Sequence, residues 1–170
     1  MDGTRWLDDQ EHHAWRSYLT ATRLLTAQLD RELQRDSQIP HTYYEILVQL
    51  SEAPNRSLRM SDLADASESS RSRLSHAVAR LEKNGWVRRE SCPTDRRGAF
   101  AVLTDAGFTV LAEAAPAHVK SVRTHLFDRL TREQVDQLAE ICDAITDGLR
   151  EQEPQPAAPQ PVHDVCQEAS

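Results

Sequence analysis

Lysine is nearly missing from this chain. Of its twenty basic residues only Lys83 and Lys120 are lysines, which we read as a bias of genome composition. Cysteine is scarce too. Cys92, Cys142 and Cys166 are odd in number and widely spaced, with no C-x-x-C pair, a usage that fits neither a disulfide framework nor a zinc knuckle. No apolar run approaches the roughly 20 residues of a membrane span. The N-terminus MDGTRWLDDQEHH is polar and acidic, unlike a signal peptide. The chain therefore reads as soluble and cytoplasmic, with no membrane partner. Enzyme signatures are absent as well: there is no G-x-S-x-G, H-E-x-x-H, P-loop or G-x-G-x-x-G. No catalytic residue and no cofactor is expected. Metal ligands do not gather either. His12 and His13 are adjacent, and adjacent helical side chains point about 100° apart. His163 and Cys166 offer only two ligands in a Pro/Gln/Ala-rich tail.

What is present is acid overall and base locally. The 170 residues suffice for one core of ordinary size, and the formal net charge is -7. From Arg56 to Arg97, however, ten Lys/Arg face six Asp/Glu, while the rest of the chain carries ten against twenty-one. A basic stretch inside an acidic protein can still meet phosphates, because distant charge is screened beyond about 10 Å at 0.1 M salt.

Periodicity organises the chain into helices around that stretch. Trp15, Tyr18, Leu19, Thr22, Leu25, Leu29 and Leu33 recur at three- and four-residue steps, predicting a long helix from Asp8 to Arg35. Pro40 disfavours helix at Ile39 and separates it from a second helix near His41 to Ser51. Ser57-Leu58-Arg59 reads as a short edge strand. Ser61 is the expected N-cap of a helix Asp62 to Ala66. The turn SESS follows, with Ser69 or Ser70 capping the next helix, which Asn84-Gly85 stops. That helix has an apolar stripe of Leu74, Ala77, Val78 and Leu81. Its opposite face carries Ser69, Ser72, Arg73, His76, Ala79, Arg80 and Lys83. Trp86 to Glu90 and Ala99 to Leu103 alternate as strands around the loop SCPTDRRG. Thr104 caps a helix running towards Leu130, with a kink expected near Pro116. Thr131 and Gln134 form a capping box for a last helix, whose seam Val135, Leu138, Cys142, Ile145, Leu149 is heptad-like and puts Cys142 in an apolar, buried role.

A bracing helix, a turn, a basic-faced helix and an Arg-rich hairpin, in that order, make a winged helix-turn-helix. The fold class is thus mainly α with a small β wing; the resemblance described next implies that the N- and C-terminal helices are dimerisation helices. The segment LADASESSRSRLSHAVARLEKNGWVRRESCPTDRRGAFAVLTDAG resembles the MarR family of bacterial transcriptional regulators. The likeness lies in Leu81-Glu82-Lys83-Asn84-Gly85-Trp86-Val87, in the wing Asp95-Arg96-Arg97-Gly98, and in Leu103-Thr104-Asp105-Ala106-Gly107. The flanking helices fit the family's order over residues 8 to 150. Trp86 stands where the family usually has a smaller apolar residue.

The resemblance implies a homodimer that binds a palindromic operator in double-stranded DNA, most often as a repressor, under control of a small phenolic or other anionic ligand or of cysteine oxidation. The first helix lacks the cysteine of the family's peroxide-sensing branch, and Cys92, in its basic setting, reads best as an unreactive loop thiol. Four segments follow: residues 1 to 40 as an N-terminal dimerisation helix, 41 to 104 as the winged domain, 105 to 150 as C-terminal dimerisation helices, and 151 to 170 as a disordered tail. The DNA-contact residues expected are Ser69, Ser70, Arg71, Ser72, Arg73, His76 and Arg80 on the recognition helix. In the wing they are Asp95, Arg96 and Arg97. Arg73, His76 and Arg80 suit base edges or phosphates, and the serines suit a phosphate at the helix start. Arg71 lies nearer the core edge. By resemblance Arg97 enters the minor groove while Asp95 braces the loop. Trp15, Tyr18, His41 and Tyr44 could line a ligand cavity, although ordinary core packing explains them slightly better. The rival reading is a winged-helix module that binds protein and not DNA.

Overall fold

The computed structural model describes residues 3–91 and 98–151. Cys92, Asp95, Arg96, Arg97, His163, Cys166 and nearly all of the expected tail lie outside the described residues. The elements in chain order are α1 (Asp9–Ser37), α2 (His41–Glu52), β1 (Ser57–Arg59), α3 (Met60–Ala66), α4 (Arg71–Lys83), β2 (Val87–Ser91), β3 (Ala99–Leu103), α5 (Asp105–His125) and α6 (Arg132–Arg150). The chain divides into two compact units, Met1–Arg129 and Leu130–Ser170.

In the first unit, α2, α3, α4 and the sheet share one core. Ile46, Leu47, Leu50, Leu63, Leu74, Val78, Leu81 and Ala101 are all but fully buried. Each such leucine or isoleucine contributes about 1.5–3 kcal/mol relative to exposure. The sheet is antiparallel in the order β1-β3-β2. β3 is central, with Val87 opposite Leu103 on one side and Ser57 opposite Val102 on the other. Trp86, expected at the start of β2, instead precedes it.

Helix boundaries follow local chemistry. Asp8 and Glu11 close a capping box at the start of α1. Gln38 ends that helix in the left-handed region at φ 57°. The start of α2 has no capping side chain of its own. Asp30 of α1 supplies one, its Oδ1 accepting from His41 N at 2.9 Å. Ser61 does not cap α3. The helix begins at Met60 with Arg59 in the N-cap position, because Arg59 is also the last paired residue of β1, opposite Phe100. Ser61 is therefore already inside the helix, and its hydroxyl donates to Asp62 Oδ1 at 2.8 Å. α5 continues through Pro116 but stops at His125, short of Leu130. A single 3-10 turn, Phe127–Arg129, follows. There Arg123 pairs with Asp128 at 3.1 Å, and Arg129 Nε donates to Thr124 O at 3.3 Å, satisfying a carbonyl that the helix end orphans.

One junction joins the recognition region to α5. Gly85, at φ +75°, closes α4 in a Schellman arrangement, with Trp86 N bonded to Leu81 O and Gly85 N to Glu82 O. The Thr104 hydroxyl donates to Gly85 O at 2.7 Å and accepts from Gly107 N at 3.0 Å. α5 thereby approaches so closely that a Cβ on Gly107 would lie 2.1 Å from Trp86 O and 2.8 Å from Leu103 Cδ1.

α1 and α5 meet at Glu32. Its carboxylate accepts from the Ser121 hydroxyl and lies 2.9 Å from His125 Nε2. The Ser121 bond, then those of His125 and Gln28, hold Glu32 down from its ordinary 4.5 to about 2. The first half of α1, by contrast, leaves Trp15, Tyr18, Leu19 and Leu24 exposed.

In the second unit Thr131 and Gln134 form the expected capping box of α6. The helix buries none of its residues within one chain, so Cys142, expected to be buried, is exposed, as are Ile145 and Leu149.

Two outcomes follow. Gly107→Ala should cost about 3 kcal/mol, because the neighbour that must move is backbone, and lower the melting temperature by roughly 10 °C in calorimetry. The Glu32 contribution is present above its unfolded value near 4.5 and lost as pH falls towards about 2. Glu32→Gln should therefore melt lower than wild type at neutral pH, and the two melting curves should converge between pH 4.5 and 2.

Candidate nucleic-acid interface

α4 is built as a two-faced helix. Ser70 accepts from Arg73 N at 3.3 Å and sets the start. Leu74, Ala77, Val78 and Leu81 bury the inner stripe, as their spacing predicts. Opposite them Ser72, Arg73, His76, Ala79, Arg80 and Lys83 are exposed. Among the described residues the side chains of Arg73, His76 and Arg80 have no hydrogen-bond or ion-pair partner. At 13 residues the helix is about 20 Å long, a length that spans a major groove. Ser69 is half-buried and Ser70 exposed in the turn before it. Glu68 holds that turn in the left-handed region at φ 46°, with Ser69 N bonded to Ala64 O.

The side of α4 nearer the wing is different. Arg71, Ser75 and Glu82 lie along it at about 60–100° from Leu74. With Arg59, Ser61, Arg89, Gly98 and Ala99, the first two of these border a recess of about 390 Å³. Three arginines, Arg59, Arg71 and Arg89, are among the residues that line it. Arg59 also stands 5.3 Å from the centre of the Phe100 ring. The sequence places Arg71 near the core edge and leaves Arg59 and Arg89 out of the DNA contacts; the signal is their place in the two strands that flank β3. Arg56 stacks on Phe108 of α5 at 4.0 Å and pairs with Asp105 at 3.3 Å. Asp95, Arg96 and Arg97 lie outside the described residues.

The aromatic and histidine residues of α1 and α2 separate into two groups. Tyr18 and His41 line a groove of about 730 Å³ with Thr22, Arg23, Asp30 and Glu45. His41 Nδ1 is 3.3 Å from Glu45 Oε1. Trp15 stacks on Tyr18 at 6.2 Å and does not line the groove. Tyr44 is buried in the core, its ring 4.5 Å from that of His118. Burial raises the Tyr44 phenol. Burial, and then His41, lowers His118 and favours its neutral ring.

The solved structure of Sco3205, a MarR family transcriptional regulator from Streptomyces coelicolor in complex with DNA, is 55% identical, with a TM-score of 0.83. The match covers 92% of this chain and 95% of that one. The chain belongs to the MarR family. The family's model matches residues 37–98, from the end of α1 to the start of the second wing strand. AbsC, a MarR family regulator of the same organism, is 48% identical with a TM-score of 0.81, covering 88% of this chain and all of AbsC. The transcriptional repressor MprA of Escherichia coli K12 is 30% identical over 115 residues, covering 68% of this chain. That match spans 65% of MprA, just under two thirds of its length. These relatives share a winged helix-turn-helix fold, and α3 to β3 is that motif here. In this MarR member the inner stripe of α4 is core, and its outer face carries the arginines.

Proposed function

We propose that this chain is a DNA-binding transcriptional regulator that acts as a repressor. The outer face of α4 carries the reading: Arg73, His76 and Arg80 stand exposed and without side-chain partners on a helix whose other face is fixed in the core. Cations gathered unpaired on one face of a rigid helix suit a polyanion. In this reading α4 enters the major groove, where Arg73 and Arg80 reach base edges. Ser69, Ser70 and Ser72 meet a phosphate at the helix start, beside Arg71. Arg97 enters the minor groove while Asp95 braces the loop. The relative solved with DNA supports this assignment.

The functional unit is a homodimer on a palindromic operator. Exposed Trp15, Leu19 and Leu24 on α1, and exposed Ile141, Ile145 and Leu149 on α6, are large apolar groups that isolated surfaces rarely gather. A second copy covers them, so residues 1 to 40 and 105 to 150 serve assembly while 41 to 104 reads DNA. Half-sites then lie about one helical turn, 10–10.5 base pairs, apart. The groove beside Tyr18 and His41 suits a small phenolic or other anionic effector, with Arg23 as its cation.

Arg73→Ala should relax base preference at a cost of about 1–3 kcal/mol. Arg97→Ala should weaken binding to operator and unrelated duplex alike. Fluorescence anisotropy at two salt concentrations checks both. If wild type binds no duplex in a salt-dependent way, a protein-binding winged module replaces this reading. Truncation after Thr131 should give monomers or insoluble protein by light scattering; a well-folded, DNA-competent truncation would overturn the dimer.

A further inference from the structure

Strand β2 sends one residue, Val87, into the core. Val87 is buried, while Arg88, Arg89, Glu90 and Ser91 are exposed. Among the described residues, one side chain ties the strand to α4 past that point. Arg89 N donates to Glu82 Oε1 at 3.0 Å, and Arg89 Nε lies 3.4 Å from Glu82 Oε2. Arg89 Nη2 donates to Ser75 O at 2.8 Å, with Ser75 Oγ at 3.4 Å. Ser75 and Glu82 are seven residues apart, two turns along one side of α4. The guanidinium therefore bridges a carbonyl and a carboxylate from residues two turns apart on the recognition helix, and the backbone of its own strand is held by the same carboxylate. Both partners are about one-third exposed, at 33% and 31%.

We propose that Arg89 and Glu82 form a positioning pair that fixes the wing at the distance from Arg73, His76 and Arg80 at which one duplex can meet both. This rests on the DNA-binding reading. Two features distinguish it from an ordinary surface ion pair. First, Arg89 turns its Nε and Nη2 donors to Glu82 and to a helix carbonyl, so its charge is paired within the protein. Second, a carboxylate on the side of α4 next to the wing would repel phosphate if it stood alone. Its presence there calls for a task other than contact with DNA, and holding Arg89 and its strand is that task. Geometry of this kind affects specificity more than affinity: a displaced wing can still slide along any backbone, but it cannot engage together with base edges read by α4.

The test uses full-length protein and two duplexes, one selected by wild type from a random-sequence pool and one scrambled version of it. Glu82→Gln keeps the side chain's size and removes one negative charge. On charge alone it should strengthen binding to both duplexes. The positioning role predicts the opposite: about tenfold weaker binding to the selected duplex and little change on the scrambled one, roughly 1.4 kcal/mol of lost discrimination. Arg89→Ala should lose the same discrimination, leave the salt slope for the selected duplex unchanged, and add nothing when combined with Glu82→Gln. Equal or tighter binding of both duplexes by Glu82→Gln would overturn the proposal. So would a salt slope lowered by about one in Arg89→Ala with additive effects, which would make Arg89 a phosphate contact. If Arg89→Ala fails to fold in a thermal melt, the sign of the Glu82→Gln effect decides by itself. If wild type selects no sequence and binds no duplex as salt is varied, the DNA-binding reading has failed and this proposal falls with it; normal selection by wild type with an unaffected Glu82→Gln rejects the pair alone.

Discussion

The structure turns on the close contact between Gly107 and the carbonyl of Trp86. That approach is what lets one hydroxyl, from Thr104, bind the end of α4 and the start of α5 together. The Schellman turn at Gly85 presents the carbonyl, the end of β3 presents the threonine, and only a residue without Cβ fits between them. Helix, wing and α5 therefore share a fixed origin. Val87 and Leu103, paired across the sheet and both buried, lie next to this joint and anchor it to the core. A recognition helix must be rigid relative to whatever places it on its target, and here rigidity comes from polar bonds at one corner and from leucine packing along the length of α4.

How far the sequence discloses this depends on the range of each interaction. The stripe Leu74, Ala77, Val78, Leu81 is legible because burial and helical period coincide over one element. The box Thr131–Gln134 and the cap at Ser70 are legible because cap and helix are three residues apart. Ser61 misled because a strand residue, Arg59, ends a pairing and starts a helix at once, a role set by the sheet. Asp30 capping α2 from another helix has no short-range signature at all. The same is true of Glu82 with Arg89, seven residues apart but in different elements, and of Glu32 with Ser121 and His125, about ninety residues apart. The exposure of Cys142 and of half of α1 reflects what one chain by itself can cover, which no periodicity states.

The candidate site shows the same division. The outward arginines follow from spacing alone, because any residue opposite a buried stripe faces outward. The recess of Arg59, Arg71 and Arg89 does not, since it needs β1, α4 and β2 side by side. Tyr44 belongs to the core with His118 and Tyr18 to an open groove, although both looked alike as aromatic residues on helices; the difference is which face of α1 or α2 the rest of the fold happens to cover.

Charge distribution gives the interface a further property. The protein carries -7 overall yet concentrates its base between Arg56 and Arg97. At about 0.15 M salt the screening length is near 8 Å, so a phosphate at the face of α4 senses the local arginines and little of the distant acid. The rest of the chain carries ten Lys/Arg against twenty-one Asp/Glu, so contacts made through it are less favourable to a duplex on average. Repulsion in the wrong orientations removes much of the non-specific affinity that a uniformly basic protein would have, while leaving the correct one intact. Lowering the salt extends both the attraction and the repulsion, because near 0.01 M the screening length of about 30 Å spans the whole domain. Overall acidity and a basic reading face thus favour one docking orientation, and the rigid joint at Gly107 keeps that face in the position where the charge pattern can be used.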